Sequence, residues 1–194
     1  MLRRSFVGIG LLLAGATLAG CVPHWRVVSE SIEDPMAGQR HFALAPIDFT
    51  GLRIGTHTEE EYLAGKDSGQ QASFAQDKEA MNAEFAQALE AKALEMGVVI
   101  VRATGPADAP FLIRPSVSFI EPGFYAVVVA APSQVDMNLK ITGPDGRLFD
   151  EILLTHRTAG NLDITASSGG RLRKDGTGLG VWVAEYLKHR IFPG

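Results

Sequence analysis

Gln134-Val135-Asp136-Met137-Asn138-Leu139-Lys140-Ile141, then Gly143-Pro144-Asp145-Gly146, then Leu148 to Thr158, is the stretch that decides the fold. Val135, Met137, Leu139 and Ile141 alternate with Gln134, Asp136, Asn138 and Lys140. A period of two sets one strand face on a core and the other in water. The Gly-Pro-Asp-Gly segment is a hairpin turn. Leu148 to Thr158 reads as the returning strand, with Leu148, Ile152 and Leu154 on one face.

Upstream, Phe111, Ile113, Val117 and Phe119 alternate with Leu112, Arg114, Ser116 and Ser118, and Glu121-Pro122-Gly123 turns the chain. Phe124 to Ala131 is an apolar run stopped by Pro132. Earlier still, His41 to Phe49 reads as a strand with Phe42, Leu44, Ile47 and Phe49 toward the core. Glu59 to Leu63 reads as a short helix and residues 65–69 as a loop. From Ser73 to Met96, Met81, Phe85, Ala88, Leu89 and Met96 form one helical stripe, and Gly97 is a carboxyl-terminal stop. Val98 to Val101 is wholly apolar, which predicts a central strand covered on both faces. Asn161 to Gly176 reads as a polar, glycine-rich loop, and residues 178–191 as a last helix with Leu179, Trp182, Val183, Tyr186, Leu187 and Ile191 on its apolar side. The order predicts an α+β fold: a mostly antiparallel sheet with two main helices packed against it.

The first residues say where the protein is expected to live. Arg3 and Arg4 form a basic head, and Phe6 to Leu18 is an apolar stretch of 13 residues. That is shorter than the roughly 20 residues a membrane-spanning helix needs. Leu18-Ala19-Gly20-Cys21 closes it, and Cys21 is the single cysteine. The order is that of a secretory signal peptide ending in a lipobox. It resembles the signal of bacterial lipoproteins, in which the thiol receives diacylglycerol, the chain is cut before the cysteine, and the new amino group is N-acylated. The resemblance implies that Leu18, Ala19 and Gly20 are read by the signal peptidase and that Cys21 is lipidated. It also implies a mature chain of 174 residues. Val22, rather than Asp, after the cysteine resembles an outer-membrane sorting signal, so a periplasm-facing anchor in the outer membrane is expected. Three segments follow: residues 1–20 as signal peptide, residues 21–40 as lipidated cysteine and tether, and residues 41–194 as a single periplasmic domain. In the tether, Trp25, Val27, Val28 and Ile32 would pack on the domain or lie at the membrane surface.

Composition narrows the function. Without Arg3 and Arg4 the chain keeps 16 of its 18 Lys and Arg against 22 acidic residues, a net charge of about −6. A general nucleic-acid binder needs a basic face, so no nucleic-acid partner is expected. No mature cysteine besides Cys21 exists to form a disulfide or serve as a nucleophile. His24, His41, His57, His156 and His189 show no metal-ligand spacing on one element, and no Gly-x-Ser-x-Gly elbow is present. Asp150 and Glu151 are neighbours on a strand and face opposite sides, which makes them no acid–base pair. No catalytic residue, metal site or cofactor other than the lipid on Cys21 is expected.

Two stretches are candidate contact surfaces. Arg171, Arg173 and Lys174 precede Thr177, read as the cap of the last helix, where free backbone amides and cations would receive an anion or a partner. The alternative is a plain flexible loop. Phe124, Tyr125, Val127 and Val129 lie in the apolar run, which if exposed suits a partner strand or a membrane surface. The alternative is a strand or hairpin buried within the sheet.

The lipobox, the element order and the junction Phe85-Ala86-Gln87-Ala88-Leu89 … Met96-Gly97-Val98-Val99-Ile100-Val101 resemble an uncharacterised group of bacterial envelope lipoproteins of the DUF4410-like type. The chain is more distantly similar to YajG, LpoB and the amino-terminal domains of CsgG and TolB. The resemblance covers roughly residues 41 to 192 and implies a periplasm-facing binding or assembly module without catalytic residues. The expected function is a membrane-anchored, non-enzymatic adaptor for an envelope protein partner. The alternatives are a lipoprotein that holds an anionic glycan or lipid headgroup near Arg171 and Arg173, and an envelope hydrolase.

Overall fold

A computed structural model of the chain describes residues 24–105, 109–126, 129–159 and 167–193. The lipobox, with Leu18, Ala19, Gly20 and Cys21, lies outside the described residues, as does Val127. The hairpin that decides the fold forms as expected. β9 (Ser133–Thr142) and β10 (Leu148–Thr158) pair antiparallel, and the Gly143 amide donates to the Arg147 carbonyl across the turn. Gly146 sits at φ +81°, a left-handed value that favours glycine.

Around that pair the sheet runs β1-β10-β9-β6-β2-β5. β1 is Trp25–Glu30, β2 His41–Leu44, β5 Val99–Arg102 and β6 Leu112–Glu121. β1, β10, β9 and β6 are antiparallel, whereas β2 pairs parallel with β5 and β6. A small corner of β3 (Arg53–Ile54), β4 (His57–Thr58) and helix α1 (Glu59–Ala64) is attached through β3 to the far end of β6. Two long helices, α2 (Ser68–Leu94) and α3 (Ser168–Ile191), pack on each other and against the sheet. The fold is therefore α+β, mostly antiparallel, with two main helices against the sheet.

The clean alternation in β9 follows from this layering. Val135, Met137, Leu139 and Ile141 are buried beneath the helices. On the opposite face Asn138 Nδ2 donates to Glu151 Oε1 at 2.6 Å, and Thr155 Oγ1 donates to Asp136 at 2.8 Å. Cross-strand polar pairs of this kind suit a solvated face.

The sheet departs from expectation where the backbone breaks the period. The register shifts between Val117 and Phe119, so Ile120, not Phe119, takes the next core position. A second shift between Leu148 and Asp150 puts Asp150 inward with Ile152 and Leu154 and leaves Leu148 exposed. One extra residue in a strand reverses the parity of everything beyond it. Val99–Arg102 is an edge strand rather than a central one. Ile100 faces the core, whereas Val99 and Val101 are about two-fifths exposed. An apolar run does not reveal which of its faces is covered.

Both long helices start earlier than their apolar stripes suggest. Asp67 caps α2, accepting from the Gln70 amide at 2.8 Å while Gln70 Oε1 accepts from the Asp67 amide. This reciprocal capping box turns most of the expected 65–69 loop into the helix start. Gly97, at φ +71°, follows its carboxyl-terminal end as expected. α3 is capped by Ser167, whose Oγ accepts from the Gly170 amide at 3.0 Å. Thr177 is thus mid-helix, and the expected glycine-rich loop is helical from Ser168 onward.

The glycines have another use. An added Cβ would stand 2.5 Å from the Met81 carbonyl oxygen at Gly176 and would overlap the Phe85 carbonyl oxygen at Gly180. Gly169 leaves the same room for Asp77. α3 runs parallel to α2 with these glycines against Asp77, Met81 and Phe85, which follow one another at one turn along α2. The backbones approach closely because no side chain lies between them.

The sheet also takes in part of the segment expected to be a tether. Trp25–Glu30 pairs with β10, Met36 is fully buried, and the Gly38 amide donates to the Ile191 carbonyl. Beneath this edge Arg190 and Asp150 are buried together. Arg190 Nη1 donates to Glu30 at 2.6 Å and Nη2 to Asp150 Oδ1 at 3.3 Å, and Nε stands 2.8 Å from Asp150 Oδ2, off the hydrogen-bond line. Tyr186 donates its hydroxyl to Asp150 Oδ2 at 2.6 Å. Burial first, and Asp150 second, hold that phenol far above its ordinary pKa.

Candidate functional site

Phe124–Ala131 forms neither an edge of the main sheet nor a strand inside it. β7 (Phe124–Ala126) and β8 (Val129–Ala131) pair only with each other, as a separate two-stranded hairpin leaving the sheet between β6 and β9. Phe124, half exposed, stands at its start. Tyr125 and Val129 lie on its strands. Of the two readings open at the sequence level, the one in which the run is buried within the main sheet is not observed.

The hairpin root is fixed by backbone shape and by a buried polar cluster. Gly123 adopts φ +63°, and a Cβ there would meet the Ala131 carbonyl oxygen at 2.5 Å and Pro132 at 2.6 Å. The Arg171 side chain crosses from α3 to the Pro122 carbonyl, donating from Nε at 3.1 Å and Nη2 at 3.0 Å. One helical turn on, Asp175 is fully buried and accepts from Ser133 Oγ at 2.5 Å and Thr158 Oγ1 at 2.7 Å. His156 Nδ1 lies 2.7 Å from Oδ1, the oxygen that also accepts from Thr158, whereas Ser133 donates to Oδ2. One face of α3 thus grips both sides of the hairpin root: Pro122 as the chain leaves the sheet, Ser133 as it returns. Burial lowers the Arg171 pKa and the nearby Asp175 carboxylate opposes that shift.

The cationic group expected to receive an anion is dispersed. Arg171 is buried and committed to the hairpin root. Arg173 is exposed and pairs with Asp77 at 3.4 Å. Burial raises the Asp77 pKa, and the Arg173 charge opposes the rise. Lys174 is exposed. Thr177 Oγ1 has its one proton within reach of the Arg173 carbonyl at 3.2 Å and of Glu84 at 3.4 Å. The four residues do not converge on one point, and the free amides of the helix start lie at Ser167, ten residues before Thr177.

The residues that the sequence left unassigned are Ser133, Thr158, Asp175 and the rings beside them. His24 stacks on Trp182 at 4.5 Å, and His156 tilts against the same indole at 4.6 Å. A Cβ at Gly178 would overlap the Nε2 edge of His156, so that edge is closed by the helix backbone. The His156–Asp175 pair is therefore a strut between β10 and α3, with both ring nitrogens against protein. Among the described residues no group of three His, Cys, Asp or Glu side chains is placed to hold a metal ion. Beside the root lies an open groove of about 600 Å³, lined by Ile54, His57, Tyr62, Phe119 and Glu121 among others.

No protein-family model matches the chain, and no curated protein sequence matches it. Solved structures resemble it in outline. A PelC dodecamer from Paraburkholderia phytofirmans is 15% identical, with 84% of this chain and 97% of that chain covered at a TM-score of 0.46. Protein XCC0632 from Xanthomonas campestris, of the DUF330 family, is 14% identical, with 82% and 89% covered at 0.45. A hypothetical protein of Chlamydia trachomatis is 8% identical, with 78% and 98% covered at 0.46. Likeness at this level carries nothing about activity or partners.

Proposed function

We propose that this chain is an outer-membrane lipoprotein, anchored through acylated Cys21, whose α+β domain is a non-enzymatic binding and assembly module facing the periplasm. The observation that carries the reading is the run from Arg3 through Phe6–Leu18 to Leu18-Ala19-Gly20-Cys21. Diacylglycerol on the thiol and an acyl chain on the amino group make such an anchor effectively permanent, since each buried methylene contributes about 0.8 kcal/mol. Anchoring also confines the domain near the membrane and raises its effective concentration for an envelope partner. Kinship with the DUF4410-like lipoproteins is part of this proposal.

The polar clusters support a binding role over a chemical one. Asp175, His156, Asp150 and Arg190 are each consumed in joining helix α3 to the sheet. Arg171, the residue on which an anion-binding reading rests most, is spent on Pro122. The test is in-cell cross-linking of the tagged full chain, followed by affinity purification from envelopes. A reproducible protein partner that disappears with Cys21→Ser is the expected result. Capture of glycan or lipid headgroup alone, with no protein, contradicts the adaptor reading.

A further inference from the structure

The strand directions bring the anchor and the apolar hairpin to one end of the molecule. β1 runs antiparallel to β10, with Trp25 opposite Leu154 and Glu30 opposite Asp150. The chain before Trp25 therefore leaves toward the Thr158 end of β10. β10 pairs Thr158 with Ser133, the first residue of β9, and β6 reaches the same end at Glu121, opposite Gln134. The β7–β8 hairpin springs from between Glu121 and Ser133. It shares that end with the amino-terminal exit.

The leash between them is short. His24 is fixed by its stack on Trp182. Cys21 is three residues earlier, so its acyl chains start within about 11 Å of His24. A bilayer holding those chains must come up to this end of the sheet. The eight residues Phe124-Tyr125-Ala126-Val127-Val128-Val129-Ala130-Ala131 contain no charge, and Tyr125 carries their one polar side-chain group. Phe124 is half exposed. The pairing of β7 with β8 satisfies the backbone groups that face each other, and the groups on the two outer edges keep to the headgroup region, where water and lipid oxygens reach them. Exposed Arg157 and Lys174 flank the same end, where anionic headgroups would meet them.

We infer that the β7–β8 hairpin is a second membrane contact, seated in the phospholipid leaflet that holds the Cys21 acyl chains. Its root, fixed by Arg171 and Asp175, sets the pose of the domain on the bilayer. The inference deepens the lipoprotein reading and rests on it.

The test uses the full, acylated protein purified from membranes and reconstituted into vesicles of phosphatidylethanolamine and phosphatidylglycerol. Vesicle flotation reports the anchor, and amide hydrogen exchange over residues 123–132 reports the hairpin. Wild-type protein is expected to float and to gain vesicle-dependent protection over those residues. Phe124→Asp with Val129→Asp is expected to float equally well while losing that protection. Flotation with no protection of the wild-type hairpin overturns the inference and leaves the lipoprotein reading standing. Protection that tracks protein concentration and needs no vesicles overturns it in favour of a second copy as the hairpin's partner. Wild-type protein that fails to float overturns the lipoprotein reading, and this inference with it.

Discussion

Asp175 is the residue whose loss the fold should feel most sharply, because three side chains from two strands point at one fully buried carboxyl group. Asp175→Ala leaves Ser133, Thr158 and His156 without that acceptor. The expected cost is about 3 kcal/mol, since hydrogen bonds to charged groups contribute about 1.5–3 kcal/mol each and do not add fully. At 2–4 °C per kcal/mol for a chain of this size, Tm should fall by roughly 6–12 °C. Thermal unfolding of the variant beside Lys174→Ala, an exposed control, measures it. Asp77 makes a pH prediction. Its carboxyl pKa is raised above the usual 3.8 in the folded protein, chiefly by burial. The folded state therefore holds this proton more tightly than the unfolded chain, and the contribution to stability declines as pH rises from about 3.8 through the raised value. Asp77→Asn should remove that downward component, which urea midpoints across the acid range would show. Neither role was legible in the sequence. Asp77 and Asp175 sit among other polar residues on helices, and their burial depends on partners up to 96 residues away.

At the scale of elements, α3 is where the sequence and the fold diverge most. A segment with five glycines between Gly169 and Gly180 reads as a loop by propensity, because each glycine in a helix interior costs about 0.8–1.0 kcal/mol relative to alanine. Contact with α2 overrides that preference. The sign of one substitution separates the two effects. Propensity alone would make Gly180→Ala stabilising, whereas the overlap with the Phe85 carbonyl predicts destabilisation by about 1–3 kcal/mol. Chemical denaturation of Gly176→Ala and Gly180→Ala decides it, and higher midpoints would contradict the close helix–helix contact. Gly123→Ala tests the hairpin root in the same way. Both its positive φ and the nearby Ala131 carbonyl resist a side chain, so the hairpin should be disturbed while the core hairpin of β9 and β10 keeps its amide protection. What the sequence did show, the β9–β10 pair and the left-handed Gly97 just beyond the end of α2, rests on local rules of strand period and turn chemistry. The bulges, the edge position of β5 and the start of α3 depend on long-range pairing that no local window contains.

For the molecule as a whole, the arrangement gives it two ends of different character. At one end the amino-terminal exit, the apolar hairpin and the start of α3 are gathered. At the other, Arg190 ties Glu30 and Asp150 together beneath β1. A membrane-held domain of this layout would meet the bilayer with the first end and leave the second in the periplasm. The candidate contacts named from sequence are divided accordingly: the apolar run forms a hairpin apart from the main sheet, with Phe124 half exposed, while the cationic cluster is split between its buried footing and the open surface. The apolar run could be recognised as unusual from its eight uncharged residues, but only strand direction shows that it shares an end with the start of β1.

Acylation of Cys21 is read by metabolic labelling with palmitate, followed by mass spectrometry of the mature amino terminus. A labelled chain beginning at an acylated Cys21, with label absent from Cys21→Ser, is the expected result. A mature chain without acyl groups, or labelling undiminished in that variant, would contradict it.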